Sequence, residues 1–386
     1  MIPVRETEEA EYGNSKQCRK SKTGISLKFV HLLWIDCVKL SKKTVYLHRI
    51  CKMGQRTRGT IFAILAAAAL LCAGLGVFFG IRFRNYISYC RSVDIPLFKA
   101  SESFGKPNAD TEWAMATVVA ADKGNWLKVK ELTSEDRHST FCSYYHNLAN
   151  AKLGSISDGL LDFYQPFERA LFLPLQEDQS PFMIGCASEA WWQLGAMTQA
   201  EHAAILGMTF SPSHSGERYM RRLAEINLVN GDSAAASKYT RAMHGRPGDG
   251  WMEKIPLKPA EDTLVLASDY RGVLLNLLDA NRANTMAYEY LLCLDLLTKD
   301  IPHFMEDYDP AGPHSRVYDE VALTGLAMQG RLDGQTAGLY GIDSETAQDF
   351  FRYTELYQKC GGDMSQLQER YGKTYWFFYH FAQRNG

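Results

Sequence analysis

The run Leu223-Ala224-Glu225-Ile226-Asn227-Leu228-Val229-Asn230-Gly231-Asp232, followed by Ala234, Ala235, Ala236 and Tyr239, is the clearest local signal in the chain. Its apolar residues recur at helical spacing up to Val229. Gly231 then supplies the left-handed conformation that closes a helix, and the small residues after it let a second helix pack closely. The run therefore predicts a helix, a tight turn and a second helix.

The same grammar recurs. Ala120-Ala121-Asp122-Lys123-Gly124-Asn125 precedes Trp126, a second pair turns at Ala151-Lys152-Leu153-Gly154, and a third turns at Trp192-Gln193-Leu194-Gly195 before Ala196 and Ala200. Helices are expected over 111–122, 126–132, 144–153, 187–194, 199–208, 217–229 and 233–244. Further helices over 288–298 and 318–328 end at Lys299-Asp300 and Gly330. The turn glycines at 124, 154, 195 and 231 lie 30, 41 and 36 residues apart, and Lys299 lies 68 residues beyond Gly231. Sustained period-2 alternation is almost absent, and no Asn-Gly or Asp-Gly hairpin joins β-branched runs. The expected fold class is all-α. It resembles the tetratricopeptide repeat, a helix-turn-helix unit of about 34 residues, in an irregular superhelix over residues 85–386. Arg246–Asp262, rich in proline and glycine, reads as a loop or a divergent unit.

Upstream, Gly59–Ile81 contains no charged residue and is bounded by Arg56, Arg58, Arg82 and Arg84. A helix of that length reaches roughly 30–35 Å, enough for a hydrocarbon core of about 30 Å. One transmembrane helix over 59–81 is expected. Seven Lys/Arg (Lys39, Lys42, Lys43, Arg49, Lys52, Arg56, Arg58) fall within twenty residues before it and four (Arg82, Arg84, Arg91, Lys99) within twenty after it. That bias keeps the N-terminus cytoplasmic and puts the large domain outside the bacterial cytoplasmic membrane. Residues 1–58 form a basic segment expected to be disordered. Residues 25–40 are too short and too charged to span, leaving an interfacial helix or unstructured sequence. Met53 opens a basic stretch running into the apolar one, as a signal anchor begins, so it is a candidate start. Cys72 follows Leu71 where lipid attachment wants a small residue. Gly76 and Gly80 form a small-xxx-small pair of the kind that joins two spans, which leaves a homodimer through the span open.

Arg221-Arg-Leu-Ala-Glu-Ile-Asn-Leu-Val-Asn-Gly231, Met286-Ala-Tyr-Glu-Tyr-Leu-Leu292 with Leu296-Leu-Thr-Lys-Asp300, and Tyr371-Gly-Lys-Thr-Tyr-Trp-Phe377 together carry a resemblance. Over residues 85–381 the chain resembles the C-terminal part of an uncharacterised family of bacterial membrane proteins, a domain of unknown function. Members of that kind usually have several spans before the helical tail, whereas this chain shows one. The resemblance implies no activity and no catalytic residues.

Composition excludes more than it offers. The formal net charge of −2 gives no global basic field for nucleic acid. Nine cysteines (Cys18, Cys37, Cys51, Cys72, Cys90, Cys142, Cys186, Cys293, Cys360) show no C-x-x-C spacing, so no zinc knuckle or disulfide framework is implied and most read as small core residues. Cys142 and His146, four residues apart, have no second ligand pair. Asp307-Tyr-Asp309-Pro-Ala-Gly312 fails as a calcium loop because Pro310 intrudes and position twelve is Tyr318. Phosphate-loop, Gly-x-Ser-x-Gly and His-Glu-x-x-His motifs are missing. The reading therefore assigns no catalytic, cofactor or metal residue. Arg218, Arg221 and Arg222 form a basic cluster, either a solvated face or a site for an anionic partner. Trp191 and Trp192 either pack between repeats or line a groove. The aromatic Tyr371–Phe381 segment either docks on the preceding helices or faces a membrane or partner. The expected function is a membrane-anchored, non-enzymatic module binding protein or peptide partners; the competing one is an accessory tail or subunit of a multi-span membrane enzyme or transporter, glycosyltransferase-like in architecture.

Overall fold

A computed structural model describes residues 55–176, 179–212, 214–243 and 269–384. The expectations for residues 1–54, for His244 and for Arg246–Asp262 fall outside these. Among the described residues the chain is all-helical, and it divides into two units, residues 1–78 and 79–386.

Helix α1 runs over Gln55–Arg82. Its stretch Phe62–Arg82 is long and apolar enough to cross a membrane, and none of it is buried. Leu70 is 74% and Ile81 72% exposed, which a helix packed in a protein core would not be. A Cβ on Gly76 or Gly80 would meet nothing within 4 Å.

The second unit holds α2 (Arg84–Ser92), α3 (Leu97–Phe104), α4 (Ala109–Asp122), α5 (Trp126–Leu132), α6 (Thr140–Lys152), α7 (Pro181–Leu194), α8 (Met197–Thr209), α9 (Glu217–Val229) and α10 (Ser233–Ala242). Beyond the undescribed stretch come α11 (Tyr270–Ala280), α12 (Thr285–Thr298), α13 (Ile301–Asp307), α14 (Arg316–Met328), α15 (Gly334–Leu339), α16 (Ser344–Lys359), α17 (Met364–Tyr371) and α18 (Tyr375–Phe381). Helices adjacent in sequence pack on one another: α4 on α5, α7 on α8, α9 on α10, α11 on α12, and α12 on α13.

One turn chemistry joins them. At each predicted break the backbone N–H five residues on bonds a carbonyl in the helix's last turn: Asn125 to Ala120, Ser155 to Asn150, Ala196 to Trp191, Asp232 to Asn227, Asp300 to Asp295 and Arg331 to Leu326, all at 2.8–3.0 Å. These 6→1 bonds satisfy carbonyls that would otherwise be orphaned, and each needs a left-handed residue beside it. Glycine fills that position except at Lys299, with φ 61°. Aspartate or asparagine then caps the next helix at Asn125, Asp232 and Asp300.

The second predicted pair differs. Gly154 turns as expected, but no α-helix follows it: residues 155–175 form an irregular stretch with two 3₁₀ turns, Leu160–Asp162 and Phe167–Ala170. The stretch fills its helix's place with buried Ile156, Leu160, Leu171 and Phe172. Buried Asn147 on α6 fastens it, donating to Gln165 Oε1 at 2.9 Å and to the Ala170 carbonyl at 3.2 Å.

The Tyr219 side chain packs directly against two helix glycines. A Cβ on Gly185 of α7 would lie 2.4 Å from the Tyr219 hydroxyl, and one on Gly207 of α8 would lie 2.6 Å from its ring. Both glycines exist to seat this ring.

Candidate functional site

Helix α9 shows its apolar residues Tyr219, Met220, Leu223 and Ile226 to the core. Its other side carries Arg218, Arg221, Arg222 and Glu225, which line a cleft of about 350 Å³ together with Arg84, Ser88 and Arg91 of α2. Helix α2 is held there by Glu112 of α4. That carboxylate accepts the backbone N–H groups of Asn85 at 3.0 Å and Tyr86 at 2.9 Å, capping a helix whose own N-cap residue, Phe83, offers no side-chain acceptor.

The three α9 arginines are not equivalent. Arg218, 8% exposed, bonds Asp122 at 2.9 Å. Arg222 bonds Glu189 at 2.8 Å and lies 4.6 Å over the Trp192 ring. Arg221 sits 3.5 Å from Glu217 and is far more exposed. Burial alone would raise the Glu189 carboxyl, but Arg222 and then Arg218 overcome it and hold it below its usual value. Glu225 moves the other way: burial outweighs the pull of Arg222 and raises it. Arg84 and Arg91 are exposed and have no carboxylate partner among the described residues. Besides these guanidinium groups the lining carries the carboxylates of Asp122, Glu217 and Glu225 and the side chains of Ser88, Ser92 and Ser188.

A second, larger cleft of about 780 Å³ is walled by Phe163, Tyr164 and Phe167 from the irregular stretch and by Phe377, Phe378 and Phe381 from α18. Phe167 holds a left-handed backbone, φ 55°, a strained state for a bulky side chain. The rim is charged: Arg384 lies 3.3 Å from Glu168 and 5.4 Å over the Phe167 ring.

The other sequence candidates resolve into packing. Trp191 stacks on Phe172 at 4.2 Å, and both tryptophans are buried. Cys142 and His146 are buried too. The His146 ring stacks on Phe163 at 3.9 Å and its Nδ1 lies 3.2 Å from the Thr133 hydroxyl, while burial lowers its pKa. Asp307 pairs with Arg271, and Asp309 accepts the Ala311 N–H. Cys90, Cys142, Cys186 and Cys293 are buried free thiols, and Cys72 on α1 is exposed. In the C-terminal segment Tyr375 and Trp376 dock in the core, leaving the half-buried phenylalanines beside them to the larger cleft. Sequence reasoning missed that cleft because half its wall comes from a stretch with no helical period.

The profile of a family of unknown function, DUF6057, matches residues 14–245 and 242–382. The chain belongs to DUF6057. The DUF6057 match extends upstream of the part noticed from sequence, residues 85–381, and takes in residues 14–84, those before Met53 included. No curated protein and no solved structure shows a significant match to this DUF6057 chain.

Proposed function

We propose that the chain is a membrane-anchored helical-repeat protein that binds a protein or peptide partner and performs no catalysis of its own. The observation carrying the reading is the larger cleft. Six aromatic side chains wall it, and a charged rim surrounds them, the arrangement of an apolar anchor site with a polar border. Its size suits an extended peptide carrying one or two large apolar residues. The repeated Gly-capped helix pairs support a tetratricopeptide-like superhelix, a form that presents such surfaces. Exposed, uncharged Phe62–Ile81 supports a single-pass anchor, and the basic bias before it favours a cytoplasmic N-terminus with the domain extracytoplasmic.

Affinity purification of the full chain from native membranes, with the span intact, tests the reading. A partner that is lost from the Phe378→Ala/Phe381→Ala variant supports it. Recovery of one multi-span protein in fixed stoichiometry, unaffected by that variant, would instead make the chain a subunit of membrane machinery.

A further inference from the structure

We infer that the arginine cleft between α2 and α9 is a binding site for a phosphate-bearing anion. Charge bookkeeping within the cleft is the first reason. Each α9 arginine faces a carboxylate: Arg218 faces Asp122, Arg221 faces Glu217, and Arg222 faces Glu189 and Glu225. Arg84 and Arg91 on the opposite wall have no such neighbour among the described residues, so the cleft keeps an uncompensated positive edge. These two lie seven residues apart, two helical turns, and so share a face of α2 with Ser88 between them.

Unused donors are the second reason. Arg221 Nε and Arg222 Nη1 are buried yet have no hydrogen-bond acceptor in the structure; the nearest carboxylate to Arg222 Nη1, Glu225, is 3.5 Å away. A buried donor without an acceptor carries a desolvation cost of roughly 1–3 kcal/mol, which an anion reaching it would remove. Guanidinium forks match the oxygens of a phosphate in pairs, and the hydroxyl of Ser88 adds a neutral donor. A cleft of about 350 Å³ takes a phosphate ester with part of its alcohol.

The phosphate could be that of an anionic lipid headgroup or of a soluble ester. Arg84 follows the last residue of α1 by two positions, which favours the lipid; only that source rests on the membrane reading above, and the cleft itself does not. The test uses the full chain in a neutral detergent, titrated separately with short-chain phosphatidylglycerol and with inorganic phosphate. Arg84→Gln/Arg91→Gln is compared with Lys128→Gln/Arg370→Gln, exposed cations elsewhere, and thermal unfolding confirms that both variants fold. The expected result is at least tenfold weaker binding for the first variant and unchanged binding for the second. Binding of the lipid alone assigns the headgroup, and comparable binding of inorganic phosphate assigns a soluble ester. Binding of neither, or equal weakening in both variants, overturns the proposal.

Discussion

Glu320 Oε2 accepts the backbone N–H of Tyr375 at 2.6 Å, while the Glu320 carbonyl accepts Trp376 Nε1–H at 3.1 Å. One residue of α14 thus fastens two consecutive residues of α18, 55 positions away. The carboxylate that does so is buried, and burial outweighs the bonds from Tyr375 and Arg316 to lift its pKa to about 7.

A folded-state value above the unfolded one means that folding favours the neutral acid. The stabilisation is complete below about pH 4.5 and is lost as the pH rises through about 7, an amount on the order of 3 kcal/mol for Glu320 alone. Burial raises Asp295 to about 7 in the same sense. Urea unfolding of the full chain should therefore show greater stability at pH 5 than at pH 8. Glu320→Gln, which keeps the acceptor, should flatten that difference; a variant with an undiminished pH slope would contradict the assignment.

Tyr219 and its two glycines make a geometric prediction. Gly185→Ala places a Cβ against the hydroxyl and Gly207→Ala places one against the ring edge. Each should cost about 1–3 kcal/mol by overpacking. Tyr219→Phe removes the hydroxyl, so in double variants it should recover much of the Gly185→Ala loss and little of the Gly207→Ala loss. Melting temperatures of the five proteins decide this.

Glu189 is 1% exposed and depends on Arg222. Arg222→Met should destabilise by roughly 3–5 kcal/mol because it strands a buried carboxylate. Arg222→Met/Glu189→Met should be clearly more stable than the single variant. If the two variants unfold alike by chemical denaturation, the pair does not act as a unit.

Turn positions should respond to backbone conformation alone. Gly231 has φ 82° and open space around it, so Gly231→Ala should cost about 1 kcal/mol through strain without any clash. Lys299→Gly at the equivalent turn relieves the same strain yet should still destabilise, since it deletes two hydrogen bonds to α18. Equilibrium unfolding of both variants measures the contrast.

Helix ends proved more legible in sequence than helix starts. Predicted and observed C-termini agree at Asp122, Leu194, Val229, Thr298 and Met328, where a left-handed glycine or Lys299 follows, and also at Leu132, where none does. Starts at Thr140 and Pro181 were placed four and six residues late. Ser139 and Ser180 cap those helices through side-chain oxygens, a contribution that apolar periodicity does not register. The turn at Gly154 was legible, but the 155–175 stretch after it is held by tertiary contacts that local sequence does not register: Asn147 to Gln165 and Ala170, the Ser143 hydroxyl to the Tyr164 carbonyl, and the Tyr164 N–H to Asp136. Of the arginine cleft, the Arg218, Arg221 and Arg222 cluster was visible, since i and i+4 share a face. Asp122 and Glu189 were not, because they arrive from 96 and 33 residues away, and Arg84 and Arg91 registered only as flanking charge.

Lys299 reaches further than its turn. Its ammonium donates to the carbonyls of Tyr379 at 2.8 Å and Ala382 at 2.6 Å, at the C-terminal end of α18 where the helix dipole is negative. Arrays whose units touch only their sequence neighbours fray from the ends, each unit lost at its own modest cost. Here the last helix is bolted to a turn 80 residues earlier, with Glu320 as a second bolt between. Among the described residues, α18 is therefore tied both to the turn after α12 and to α14, so its release breaks bonds to two separate parts of the fold.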